Sequence, residues 1–296
     1  MTTDLLIQYL FSALTVGSIY ATVAVGFNVI YNSTGIINFA QGEFVMVGAM
    51  TAHSLIRLMP LAPAIVAAVA VTAALGALIE VLLIRRLRNP TVLRMIIVTI
   101  GLSMVIRELA LHVWDEKVRA LPFFTGSEVS SVRILGAHVS PQVFWVLGVV
   151  AVAVGLLQFF YKRTLCGRAM RACSSNPEAA MLAGINTGNM RTLAFALSAG
   201  LGALAGCVIS PISMTHYEMG PGLAIKGFAA AILGGLGNPM AAVAGGLIVG
   251  LLEAFSVSVL PAAFKDVSAF AILLLVLFAR PHGLLGNPSG AGVREV

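Results

Sequence analysis

The sequence predicts an all-α, polytopic membrane protein with about eight or nine transmembrane helices and one short helix standing outside the bilayer. Three observations carry this. Of the 296 residues, 59% are hydrophobic and only 10% are charged, with a mean hydropathy of +0.98, too apolar for a soluble domain of this length. The apolar residues fall into runs of near-span length separated by polar or Gly/Pro breaks. The basic residues concentrate in two short connections instead of forming a stripe with interleaved aromatics, so the formal +6 charge marks topology and not nucleic-acid binding.

The runs cover 5–31, 39–57, 61–84, 91–113, 141–161, 191–213, 223–237, 240–260 and 267–280. A helix needs about 20 apolar residues to cross the hydrocarbon core. The chain starts Met-Thr-Thr-Asp without a basic leader, and no small-residue cleavage site follows, so the first run is expected to be a retained span. The run 223–237 is short and ends in Gly234, Gly235, Gly237, Asn238 and Pro239, which predicts a tilted, broken or re-entrant helix. Thirty glycines against 7% aromatics suit close helix packing in lipid. Gly202 with Gly206, and Gly246 with Gly250, have the small-xxx-small spacing of such contacts.

Arg85, Arg86 and Arg88 form one basic connection, and Lys162, Arg163, Arg168, Arg171 and Arg191 form the other. Both are expected on the cytoplasmic side. The mixed-charge loop 114–140 then lies outside, as does the N-terminus, and Arg280 with the C-terminal tail lies inside. No linker or low-complexity stretch divides the chain, so residues 1–296 are expected to form a single membrane domain, with 162–189 as its one sizeable cytoplasmic loop.

Within that loop, 177–184 reads as a self-contained surface helix. Asn176 can cap it, Pro177 suits the first helical position, Glu178 faces the positive end of the dipole, and Gly184 can take the left-handed stop. Such a helix is built to dock on something.

Polar residues also interrupt the apolar pattern. Asn32, Asn38, Gln41 and Glu43 stand where a span should continue, with Gly35 and Gly42 permitting tight turns. They read either as a helix break lining a solvent path or as a plain polar connection. Glu80, at the inner end of its run, is expected to pair locally or to reach headgroup water. Glu253 reads as a gate or an ion pair, and Lys226, near an outer end, as a snorkelling side chain; Arg107 and Glu108 are a further charged pair.

Enzymatic chemistry has little to work with. Five scattered histidines form no H-E-x-x-H, there is no G-x-S-x-G, and Cys166, Cys173 and Cys207 make neither a zinc site nor a disulfide framework, so no catalytic or metal residue is expected. No phosphate-binding G-x-x-x-x-G-K-[ST] occurs, so any ATP used binds another chain.

Three strings together resemble a known family. EAAxxxG at Glu178–Gly184, after LCGRAMRA at 165–172, resembles the cytoplasmic coupling loop of binding-protein-dependent ABC importer permeases. TGIINFAQGEF at 34–44, preceded by GSIYA at 17–21, is similar to the opening of the branched-chain amino-acid permeases of the leucine/isoleucine/valine importer type, and GFAAAILGGLGNP at 227–239 to their Gly-rich segment. The I-x-L-P tail of the longer importer pattern is absent, Ile185 to Gly188 standing in its place.

The resemblance implies a permease subunit in a bacterial inner membrane, paired with a second, distinct permease and in contact with membrane lipid. Two cytoplasmic ATPase subunits holding ATP and Mg, and an extracytoplasmic solute-binding protein, would complete the importer. It implies ATPase coupling through Arg168, Arg171, Pro177, Glu178, Ala179, Ala180 and Gly184, and a translocation path past Asn32, Asn38, Gln41, Glu43, Gly234, Gly235, Gly237 and Asn238. Leucine, isoleucine and valine are the favoured solutes, with urea or short amides as the alternative. The competing classes are a secondary transporter using Glu43, Glu80 or Glu253 as an ion site, and a passive channel or structural subunit. Neither gives the helix at 177–184 a task.

Overall fold

A computed structural model describes residues 3–87, 91–134 and 137–259, with isolated positions between 261 and 285. The helices are α1 (Thr3–Thr34), α2 (Gln41–Leu55), α3 (Leu61–Leu82), α4 (Val92–Trp114), α5 (Pro141–Arg163), α6 (Leu165–Ser175), α7 (Pro177–Leu182), α8 (Thr187–Ser213), α9 (Met219–Gly234) and α10 (Pro239–Val259). A small antiparallel hairpin, β1 (Val132–Ile134) with β2 (Ala137–Val139), lies in the loop before α5. The period-two pattern of Ala137 and Val139, both buried, produces it.

Among the described residues six helices are long and apolar enough to cross a membrane: α1, α3, α4, α5, α8 and α10. The protein is therefore a multi-pass membrane protein. α2 and α9, with 15 and 16 residues, are shorter than a full span. Each follows a non-helical segment, 35–40 and 214–218, that completes the passage. The predicted ninth run at 267–280 falls largely outside the described residues, as do Arg88 and Arg280.

The loops sort to two ends. Asn32, Gln158, Lys162, Arg171 and the α9–α10 turn share one cavity, and Arg85 lies against Gly188 at the start of α8. This basic end is the cytoplasmic one by the positive-inside rule. At the other end the indole of Trp114 donates to Ser54, and Arg119 pairs through its backbone with Thr215. Leu284 donates its N–H to the Leu233 carbonyl (2.8 Å), which places that residue at the inner end too.

The core is two helix triplets run in opposite directions. α1, α2 and α3 correspond to α8, α9 and α10: α1 packs on α10 as α8 packs on α3, α2 packs on α8 as α9 packs on α1, and α2 meets α3 as α9 meets α10. α1 descends where α8 ascends. From Gly17 to Ile30 every residue of α1 is buried, and its polar Thr22 and Asn28 donate back to the Ser18 and Ala24 carbonyls of their own helix.

Glycine makes these contacts close. A Cβ at Gly246 would overlap Ala21, one at Gly250 the backbone of Gly17, one at Gly206 the Val45 carbonyl, and one at Gly202 would crowd Phe44. Both small-xxx-small pairs found in the sequence are thus helix seams. Gly101, Gly148 and Gly155 face open space on α4 and α5, outside the triplets.

A candidate translocation path and coupling surface

The polar break is a helix break and not a surface loop. α1 stops at Gly35, whose φ of 69° lies in the left-handed region and whose N–H donates to the Tyr31 carbonyl. Residues 36–40 run non-helically back into the bundle, held by Phe39 stacked edge-on against Phe27 of α1 and Phe228 of α9. The Asn38 side chain accepts from the Ala40 N–H (3.1 Å) and its carbonyl from the Gln41 N–H, opening α2; its side-chain NH2 has no hydrogen-bond partner.

α2 thereby begins deep in the membrane. Gln41 and Glu43 are fully buried. Gln41 Nε2 donates to the Ser198 carbonyl (3.1 Å). The Ser198 hydroxyl lies within reach of two acceptors, the Gly26 carbonyl (2.8 Å) and Gln41 Oε1, and its single proton serves one at a time. Ser103 of α4 donates to Glu43 Oε1 (2.8 Å), while Glu43 Oε2 is buried without a hydrogen-bond partner. At 1.5 Å per residue, Ser198 and Ser103 both lie about 16 Å from the inner ends of their helices, near the middle of the bilayer.

α9 starts against this cluster. A Cβ at Gly42 would overlap the Gly220 carbonyl, and one at Gly220 would overlap the Glu43 carboxylate. The N-termini of the two short helices, each the positive end of a dipole, thus meet at one buried polar centre. Sequence patterning identifies Asn38, Gln41 and Glu43; it misses Ser103, Ser198 and Gly220, which come from helices distant in sequence and carry no signal of their own.

The Gly-rich segment lies elsewhere. Gly234, Gly235, Gly237 and Asn238 form the α9–α10 turn at the inner end, with φ of 124° at Gly235 and 94° at Gly237. The Gly237 N–H donates to Asn28 Oδ1 (2.6 Å), and Asn238 caps α10 by accepting from Met240 and Ala241. Asn32 joins this group on the wall of a cavity of about 240 Å3, not the mid-membrane one. The residues predicted for one path therefore form two layers, a central one on α2 and an inner one around the turn.

The loop at the basic end is a helix pair. α6 buries Gly167, Met170 and Cys173 at helical spacing and exposes Arg168 and Arg171. A Cβ at Gly167 would overlap the Phe160 carbonyl, so this glycine permits the sharp turn out of α5. Residues 165–175 are thus helical, which their polar composition alone did not announce. α7 has the features its sequence predicts. Asn176 Oδ1 accepts from the Ala179 N–H (3.0 Å), Pro177 is first, and the Gly184 and Ile185 N–H groups return to the Met181 and Ala180 carbonyls. With Gly184 at φ 83°, this is a Schellman stop. Ala180 is buried, Glu178 and Ala179 are exposed, and Leu182 is 91% exposed beside Met181 at 54%.

The other buried acids among the described residues, Glu80 and Glu253, are paired. Glu80 lies 3.5 Å from Arg191 and accepts from the Thr192 hydroxyl, a local pairing as its position near a helix end predicts. Glu253 pairs with Lys226 at 3.1 Å, and the ammonium lies 5.6 Å from the Tyr20 ring centroid. Lys226 therefore turns into the bundle and does not snorkel outward, because a carboxylate and an aromatic face are nearer than the interface.

Six spans among the described residues, two half-length helices meeting at a buried polar centre, and a capped amphipathic pair at the basic end define a membrane permease. The chain matches, over residues 9–277, the family described as branched-chain amino acid transport system, permease component, and it belongs to that family. It is 35% identical to the high-affinity branched-chain amino acid transport system permease protein BraD of Pseudomonas aeruginosa, over 95% of this chain and 96% of that protein. It is 33% identical to LivH of Escherichia coli K12, a permease protein of the same description, with the same coverage. In fold it resembles PsaBC from Streptococcus pneumoniae, solved in complex with Fab, with a TM-score of 0.53, 14% identity and coverage of 95% and 94% of the two chains.

Proposed function

We propose that this chain is the permease subunit of an ATP-driven importer for leucine, isoleucine and valine in a bacterial inner membrane. A binding protein outside delivers the solute, a second homologous permease completes the path, and two cytoplasmic ATPase subunits bind ATP and Mg. The chain itself catalyses nothing. Its path runs past the centre where Gln41 and Glu43 meet the start of α9 and leaves by the inner layer of Asn32 and Asn238.

The observation that carries this proposal is α7. A six-residue helix capped at both ends, with Met181 and Leu182 exposed among the arginines of the cytoplasmic face, is an apolar knob with a basic flank. It fits a partner offering an apolar groove with acidic rims, which is the role of the ATPase here; Arg168, Arg171 and Glu178 flank the knob, and Ala180 anchors it to the permease. Of the three acids an ion-coupled transporter could use, Glu80 and Glu253 are each engaged by a cation, which leaves only Glu43, and the relatives described as branched-chain amino acid transport system permeases favour the importer. Nothing in the relatives' descriptions supports urea or short amides.

Purifying the tagged chain from its own cell in mild detergent tests the proposal. ATPase subunits should copurify, and their hydrolysis should rise with leucine-loaded binding protein. A solitary chain that moves leucine in liposomes under a proton gradient would refute it.

A further inference from the structure

The inner cavity has two unlike walls. Arg171 and Lys162 supply cations, while Leu157 and Met170 supply aliphatic surface, and no aspartate or glutamate is among its described lining residues. On the same wall Tyr161 is 8% exposed, and its hydroxyl has no hydrogen-bond partner. A buried donor left unpaired costs on the order of 1–3 kcal/mol. A volume of about 240 Å3 suits a molecule smaller than the drug-sized ligands of typical pockets.

We propose that this cavity binds a small aliphatic carboxylate from the cytoplasmic side, and that occupancy restrains the coupling helices. The carboxylate meets Arg171 and Lys162 and accepts the Tyr161 hydroxyl proton, and the aliphatic part lies on Leu157 and Met170. The imported branched-chain amino acid has this carboxylate and aliphatic part, with its α-ammonium left to neutral acceptors such as the Asn32 and Gln158 amides, and the 2-oxo acid derived from it has them without the ammonium; naming the amino acid as the natural occupant rests on the function proposed above. The walls belong to the end of α1, to α5, to α6 and to the α9–α10 turn, and the last three join the coupling segment to the path. A molecule touching all three ties the coupling segment to the path helices and favours the arrangement in which the cavity is closed around it, to the extent of its differential affinity. Import then slows as its product accumulates inside.

Equilibrium dialysis tests the site on the chain in nanodiscs with whatever subunits copurify, without binding protein, using radiolabelled leucine, 4-methyl-2-oxopentanoate and inorganic phosphate. Leucine or the oxo acid should bind saturably and phosphate should not, and which of the two binds tighter identifies the source. Tyr161→Phe should weaken binding about tenfold, and Leu157→Trp, which fills the cavity, should abolish it. In proteoliposomes, leucine on the ATPase side should slow uptake by the wild type and leave the Leu157→Trp rate unchanged relative to its own rate without leucine there. No saturable binding, equal binding of phosphate, or binding unaffected by both variants would overturn the proposal. An importer that carries some other solute would leave the dialysis result standing, so the two proposals fail separately.

Discussion

At Glu43 a single carboxylate is held in two different ways. One oxygen accepts from Ser103, and the other is buried with no hydrogen-bond partner beside Gly220, where even a methyl group would not fit. A buried polar atom without a partner is costly, and such atoms inside membranes mark function by default. Glu43→Gln keeps the shape and the bond from Ser103. It should lower leucine uptake in proteoliposomes at least about tenfold, the scale of one lost charge-assisted contact, with thermal stability in detergent nearly unchanged. Equal uptake with a lowered melting temperature would make Glu43 a structural residue. The sequence makes Glu43 visible, because an acid in an apolar run is conspicuous. Ser103, Ser198 and Gly220 are not visible, because one hydroxyl or glycine among thirty glycines in apolar helices has no contrast.

Among the elements, α7 was legible almost residue by residue: Asn176, Pro177 and Gly184 each have a local backbone task that the sequence states directly. α6 was not, since its buried Gly167, Met170 and Cys173 face α5 and the bundle, and a short amphipathic stripe resembles a loop. Gly184 has open space around it but a φ of 83°, so Gly184→Asp strains the stop by about 1–2 kcal/mol and adds a negative charge beside the proposed groove. It should abolish uptake and weaken ATPase copurification while membrane insertion persists; normal uptake would count against coupling through α7. The helix seams allow a separate check. Gly206→Leu, pressed on the Val45 carbonyl, should cost at least about 1–3 kcal/mol and lower the melting temperature, whereas Gly155→Ala, facing open space on α5, should gain up to about 1 kcal/mol. Similar effects from both would mean that the α2–α8 seam is not the tight one.

Over the whole molecule, every described span was readable from hydropathy to within a few residues, because each apolar run is long and its breaks are glycine, proline or charge. The inverted pairing of α1–α3 with α8–α10 was not. The two triplets share a plan of long helix, break and short helix but little sequence, and only packing reveals the exchange of partners. That plan places the two short helix N-termini together at mid-membrane and leaves α7 at the inner end in contact with α6 and α8, the helices that in the proposed function would carry a push on α7 toward the centre. The most direct test of this account replaces Leu182, 91% exposed at the tip of α7, with aspartate in the reconstituted importer and measures leucine uptake together with binding-protein-stimulated ATP hydrolysis. Loss of both, in a protein that melts as the wild type does, is the predicted result. Undiminished uptake and stimulation would contradict it and place the coupling surface elsewhere.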